Sequence, residues 1–183
     1  MIKTKVYIGI DFGKKGGIVA LTEGKKILYK CPMPLVGKEI DHTKILKVLR
    51  YFFKRCDQLH VVVERLHALA KGKASTNWSL AYQSGLVTGF VRAVGIGYTP
   101  VMPKTWQKEV WQGTPIHYKT TKFKDNNNKQ QTKQEVDTKK TSMVTALRLM
   151  PNERFLATKR SRVGHDGIID AYLLAEYGRR KNL

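Results

Sequence analysis

Acidic residues are scarce in this chain: 14 Asp and Glu stand against 34 Lys and Arg, for a formal charge of +20. That imbalance creates a field that attracts nucleic acid or an anionic membrane surface. Long apolar runs are absent as well. The first apolar run, a short one, begins by Val6, directly after MIKTK, so no signal peptide is expected. Nothing approaches the roughly 20 apolar residues of a membrane span, and no basic amphipathic segment offers an anchor. Nucleic acid is therefore the expected partner, without a membrane. Cysteine is represented only by Cys31 and Cys56. Two thiols at that spacing match no metal-ligand pattern and define no disulfide framework, so reduced thiols in a cytoplasmic setting are expected. No internal repeat is present. The 183 residues, 42% of them hydrophobic, suffice for one good core and no second domain of comparable size.

What is present is an alternation of strand and helix signals. VYIGI at 6–10 is a strand closed by Asp11, and glycines 13, 16 and 17 turn the chain into a second strand, GIVAL. KKILYKCPMP supplies a third strand. Asp41 then caps a helix with Ile45, Leu46, Val48, Leu49, Phe52 and Phe53 at helical spacing. LHVVVE at 59–64 is a β-branched run apolar enough to be buried on both faces, as a central parallel strand would be. A long helix is expected from about Ser75 to Ala93, with Ala81, Gly85 and Gly89 lining one face with small side chains. A strand at Gly97–Met102 follows, then a short helix opened by Pro103. Residues 113–133, rich in Lys, Asn and Gln and without an apolar period, read as a mobile basic loop. Two helices close the chain: TKKTSMVTALRLM, with Met143, Val144, Leu147 and Leu149 or Met150 as its buried stripe, and HDGIIDAYLLAEYGRR. Such an order implies an open α/β sheet, with functional residues at the carboxyl ends of strands.

Four of the few acids fall at revealing places. Asp11 and Glu64 end apolar strands, and Asp166 and Asp170 lie one turn apart on the last helix, on a face continued by Leu173, Leu174 and Tyr177. An ionised Asp on an apolar stripe costs several kcal/mol unless paired, and four carboxylates repel one another unless a cation sits among them. Oxygen donors without a cysteine cluster suit Mg²⁺ or Mn²⁺. Two such ions about 3.5–4 Å apart would clamp both oxygens of a phosphoryl displacement. Three of the acids have a ready structural reading, Asp11 as a turn former, Glu64 as a strand end paired with Arg65 and Asp166 as a helix cap, whereas Asp170 is the hardest to explain as structure. His165 is a candidate proton donor, phosphate contact or metal neighbour, or a structural residue at a helix start. Candidate DNA contacts are Lys71 and Lys73 after Glu64, Lys104 and Trp106 on the short helix, and Lys139 and Lys140 at the start of the penultimate helix. His67 and Trp106 are candidates for stacking on an unpaired base, with core packing the competing role for Trp106.

The order IGIDFGKKGGIVAL, VVVERL, GHDGIIDAYLLAEYG resembles the RuvC family of Holliday junction resolvases, within the RNase H-like superfamily, and in particular its bacteriophage-type and organellar members. The resemblance runs from residue 6 to about 178 and rests on three separated motifs in order. It implies an RNase H-like mixed sheet flanked by helices, with Asp11, Glu64, Asp166 and Asp170 binding two Mg²⁺ ions. It also implies a homodimer that cuts two symmetry-related strands of a four-way DNA junction, leaving 5′-phosphate and 3′-hydroxyl ends. The long helix after Glu64 would help form that dimer, in agreement with its small-residue face. Three features depart from the bacterial pattern. The last two acids are four residues apart rather than three, His67 stands nearest to where bacterial members place an aromatic wedge, and the Lys/Asn/Gln-rich insertion has no counterpart there.

Other readings fit part of the pattern. IGIDFG followed by glycine also resembles the first phosphate loop of sugar kinases and actin-like ATPases, although those require two such domains. A nuclease acting on other branched DNA or on RNA–DNA hybrids would use the same acids. A non-enzymatic junction-binding protein would need only the charge.

Overall fold

The computed structural model describes residues 2–65, 73–124 and 128–183. Strand β1 (Ile2–Asp11) runs into β2 (Gly17–Thr22) and β3 (Ile27–Pro32), as the glycine turn and apolar runs require. A two-residue pair, β4 (Leu35–Val36) and β5 (Glu39–Ile40), precedes helix α1 (His42–Phe53). Asp41 caps α1 by accepting the Lys44 N–H at 2.9 Å. Then come β6 (Cys56–Glu64), α2 (Ala74–Val94), β7 (Gly97–Val101) and α3 (Pro103–Val110). The chain ends with β8 (Tyr118–Lys124), β9 (Gln130–Val136), α4 (Thr138–Leu149) and α5 (Asp166–Lys181).

Five strands form one mixed sheet in the order β3-β2-β1-β6-β7. β1, β2 and β3 are antiparallel neighbours, whereas β1, β6 and β7 run parallel. Period-two alternation sorts the side chains. Val6, Ile8, Ile10, Val61 and Val63 face α1 and α2, while Tyr7, Val19, Leu21 and Val62 face α3, α4 and α5. Val61, Val62 and Val63 are all buried, as expected for a central strand covered on both faces. This is an RNase H-like α/β fold.

Helix α5 lies unusually close to β1. A methyl group on Gly9 would sit 1.9 Å from the Ala171 carbonyl oxygen, and one on Gly167 2.3 Å from the Lys15 carbonyl. Only hydrogen at these positions lets the backbones approach, so glycine fixes the height of α5 above the strand that ends in Asp11.

Two expectations are corrected. Residues 118–124 and 130–136 are an antiparallel hairpin, registered from Tyr118↔Val136 to Lys124↔Gln130, and not an irregular loop. Tyr, Thr, Phe and Val at alternating places give these polar strands their β preference. In α4 the buried residues are Thr141, Ser142, Thr145 and Ala146, and Leu147 is exposed. The small polar face packs inward because its hydroxyls have partners: Thr145 donates to the Thr141 carbonyl at 2.8 Å, and Thr141 accepts the His117 N–H at 3.1 Å. Among the described residues no helix is long and apolar enough to cross a membrane.

Candidate active site

The last paired residues of β1 and β6 are Ile10 and Val63, so Asp11 and Glu64 stand level with one another at the carboxyl ends of adjacent parallel strands. Parity places both on the face covered by α5, since Asp11 continues the Tyr7 and Gly9 side and Glu64 the Val62 side. Asp166 and Asp170 occupy the first two turns of α5 directly above. Asp11, Asp166 and Asp170 line one pocket with Gly13, Lys15 and His165.

All four carboxylates are half-buried; Asp11, Asp166 and Asp170 open into this pocket, whereas Glu64 lines a neighbouring groove with residues of α2 and β7. Burial, followed by the charges of Asp170 and Glu64, pushes the Asp11 carboxyl well above the ordinary range. Asp170 is pushed up to about 7, chiefly by burial, with a Ser142 hydrogen bond opposing and Glu64 and Asp166 adding repulsion. Desolvation and mutual repulsion thus act on a cluster whose members sense one another.

Supporting contacts hold individual acids. The Trp106 indole N–H donates to Glu64 Oε2 at 3.0 Å, and Trp106 is 1% exposed. That corrects the stacking expectation for Trp106, because its ring is core and its polar edge is spent on the carboxylate. Lys139 Nζ meets Asp166 Oδ2 at 2.7 Å, and this bond raises the lysine's own pKa. His165 is the N-cap of α5: its Nδ1 accepts the Ile168 N–H at 3.3 Å, which makes Asp166 the first helical residue rather than the cap. Lys140 has its backbone N–H tied to the Asp137 cap at 3.1 Å and its side chain exposed. Lys104 is exposed in the first turn of α3 and Lys73 is exposed before α2, and neither lines the pocket of Asp11, Asp166 and Asp170. His67 and Lys71 lie outside the described residues.

Two candidate site residues go beyond the sequence reading. Ser142, 2% exposed, bonds Asp170, and Lys15 lines the pocket from the β1–β2 turn. Each leaves a signal in the sequence: Thr141, Ser142 and Thr145 put three small hydroxyls on one helix face, and the turn after Asp11 carries consecutive lysines.

Donor chemistry suits a hard divalent cation: four carboxylates, no thiolate, and protonation states displaced in the direction a cation would reverse. Among the described residues no three such side chains close on one point as a ready cage. Trp106 engages one oxygen of Glu64 and Lys139 one oxygen of Asp166.

The sequence matches no protein-family model and no curated protein. Among solved structures, Thermus thermophilus RuvC in complex with a Holliday junction substrate aligns at TM-score 0.59 and 15% identity, over 97% of this chain and 96% of that one. A second Thermus thermophilus RuvC structure aligns at TM-score 0.55 and 16% identity, over the same shares. The likeness, end to end, establishes a RuvC-like fold.

Proposed function

We propose that this chain is a divalent-metal-dependent endonuclease that resolves four-way DNA junctions by paired, symmetric incision. The observation that supports the reading is the placement of Asp11 and Glu64 at adjacent strand ends, with Asp166 and Asp170 on the helix packed over that sheet face, in a fold shared with a RuvC bound to a Holliday junction. Asp11, Glu64 and Asp170 would hold Mg²⁺ or Mn²⁺, with Asp166 joining as Lys139 lets go. Metal ions bound there would supply a water nucleophile at neutral pH and neutralise charge on the phosphate.

The chain's own residues organise the rest. Trp106 fixes the Glu64 carboxylate, and Ser142 fixes Asp170. Lys15 and Lys139 present positive charge at the pocket, where a scissile phosphate would lie. A released Lys139 exchanges its carboxylate for a phosphate oxygen without leaving the site.

A homodimer belongs to the same proposal, since two symmetric cuts need two equivalent sites. The exposed stripe of α2 through Ala81, Gly85 and Gly89 suits it: a methyl on either glycine would meet only open space, and Trp78 and Tyr82 stack at 6.4 Å on the same exposed helix.

The test is a substrate panel of immobile four-way junction, matched linear duplex, other branched DNA and RNA–DNA hybrid, each with Mg²⁺. Symmetric paired nicks on the junction alone are expected. Preferential cutting of hybrid or of another branch would keep the acids' role and replace the substrate. Junction binding without cutting in Mg²⁺ or Mn²⁺ would reduce the protein to a DNA binder.

A further inference from the structure

The β8–β9 hairpin stands apart from the core. Neither strand packs substantially against any other element, and Tyr118 and Phe123 are 63% and 48% exposed. A lone two-stranded ribbon is marginal in water, so this one owes nothing to apolar burial. At its base the Asp137 N–H donates to the His117 carbonyl at 2.8 Å and the His117 N–H to Thr141 Oγ1 at 3.1 Å. Two residues after Asp137, Lys139 reaches the Asp166 carboxylate. The ribbon therefore springs from the rim of the carboxylate pocket.

Its chemistry is one-sided. Residues 118–136 carry five lysines against two acids. Register puts Tyr118, Thr120 and Lys122 on one face with Thr132, Gln134 and Val136, and that face holds no acid. The opposite face bears Glu135, already engaged by Lys119 at 3.4 Å. Strands of seven residues span about 20 Å, and a two-stranded ribbon is of a size that the major groove of B-DNA admits.

We propose that the β8–β9 ribbon is a duplex-gripping arm, which lays its Tyr118–Lys122 face along the backbone and groove of the DNA leading away from the cut. This rests on the nucleic-acid reading of the pocket. Its lysines and hydroxyls meet phosphates, and Gln134 lies at groove level, where an amide can both donate to and accept from base edges. An acidic protein would satisfy the charge, but a polyanion whose phosphate already lies in the pocket would meet the ribbon without further recruitment.

The experiment measures Kd for junction and linear duplex across a salt series, with cleavage rate at saturating enzyme, for the full chain, Tyr118→Ala/Lys122→Gln, Tyr118→Ala/Lys122→Arg, and a chain whose residues 119–135 are replaced by a short Gly-Ser linker. Expected are a weakening of about tenfold for the Gln variant, a salt slope shallower by about 0.9 for each phosphate that the protein no longer neutralises, a restored slope with Arg, and a larger weakening for the linker chain. Saturated cleavage should stay within about twofold of the full chain for the Gln and Arg variants. Unchanged Kd and slope in the Gln variant and linker chain, beside a parent that cuts, would overturn the arm alone. So would saturated cleavage abolished at unchanged Kd. A parent that neither binds nor cuts DNA would overturn the underlying reading and the arm with it.

Discussion

At the scale of single residues, the site is a set of carboxylates made uncomfortable on purpose and then held in place. Asp170 keeps its proton to about pH 7 when folded, against 3.8 for the ordinary side chain. Between those values the folded state binds more protons than the unfolded chain, so this group's contribution to stability falls as pH rises through the window and stays lost above it. Asp11 acts in the same direction. In metal-free protein, Asp170→Asn should therefore melt higher than wild type, by a margin that widens from about pH 5 to pH 8. Mg²⁺ or Mn²⁺ should raise the wild-type melting temperature more at the upper end of that range and move the variant little. Thermal melts with and without cation check both, and a margin that narrows with pH would contradict the cause assigned to the shift. Trp106→Phe tests the grip on Glu64: it keeps most of the buried ring and deletes the N–H donor, so cleavage should fall about 10- to 100-fold while junction affinity holds. The places of the four acids could be read from sequence, because carboxylates have little reason to end apolar strands, as Asp11 and Glu64 do, or to lie on an apolar helix face, as Asp166 and Asp170 do. Trp106 and Ser142 could not be paired with them, since those hydrogen bonds join residues distant in the chain.

At the scale of elements, α5 carries half the site and glycine sets its height. Gly9→Ala would drive a methyl into the Ala171 carbonyl, with no flexible side chain to yield. A drop of about 1–3 kcal/mol in denaturant-measured stability is expected, with cleavage reduced further because Asp170 moves relative to Asp11. Native-like stability and rate would show that α5 tolerates a shift. Most of the sheet and every helix was legible in apolar period and caps: Asp41 before α1, Pro103 opening α3, and the β-branched run of β6. The misread elements have physical explanations. The β8–β9 ribbon has no buried face, so it lacks the apolar alternation that marks a strand. Helix α4 buries Thr141, Ser142 and Thr145 deeper than Met143, Leu149 and Met150, which pack partly buried against the core, because the neighbouring carboxylate and backbone groups supply partners that sequence period cannot display.

At the scale of the molecule, the proposed function assigns recognition to the charge of +20 and chemistry to the pocket carboxylates. Affinity for nucleic acid should be strongly salt-dependent and nearly independent of the pocket acids, whereas turnover should depend on them wholly. A RuvC-like fold makes the nuclease reading coherent, and the sequence order of motifs anticipated that fold from end to end. The decisive measurement is cleavage of an immobile four-way junction in Mg²⁺ by wild type and Asp170→Asn, with junction affinity measured on the same samples. Paired symmetric nicks by the wild type, reduced at least about 1000-fold in a variant that binds equally well, is the predicted result. Equal cutting by both proteins, or none by the wild type despite tight binding, would contradict the account.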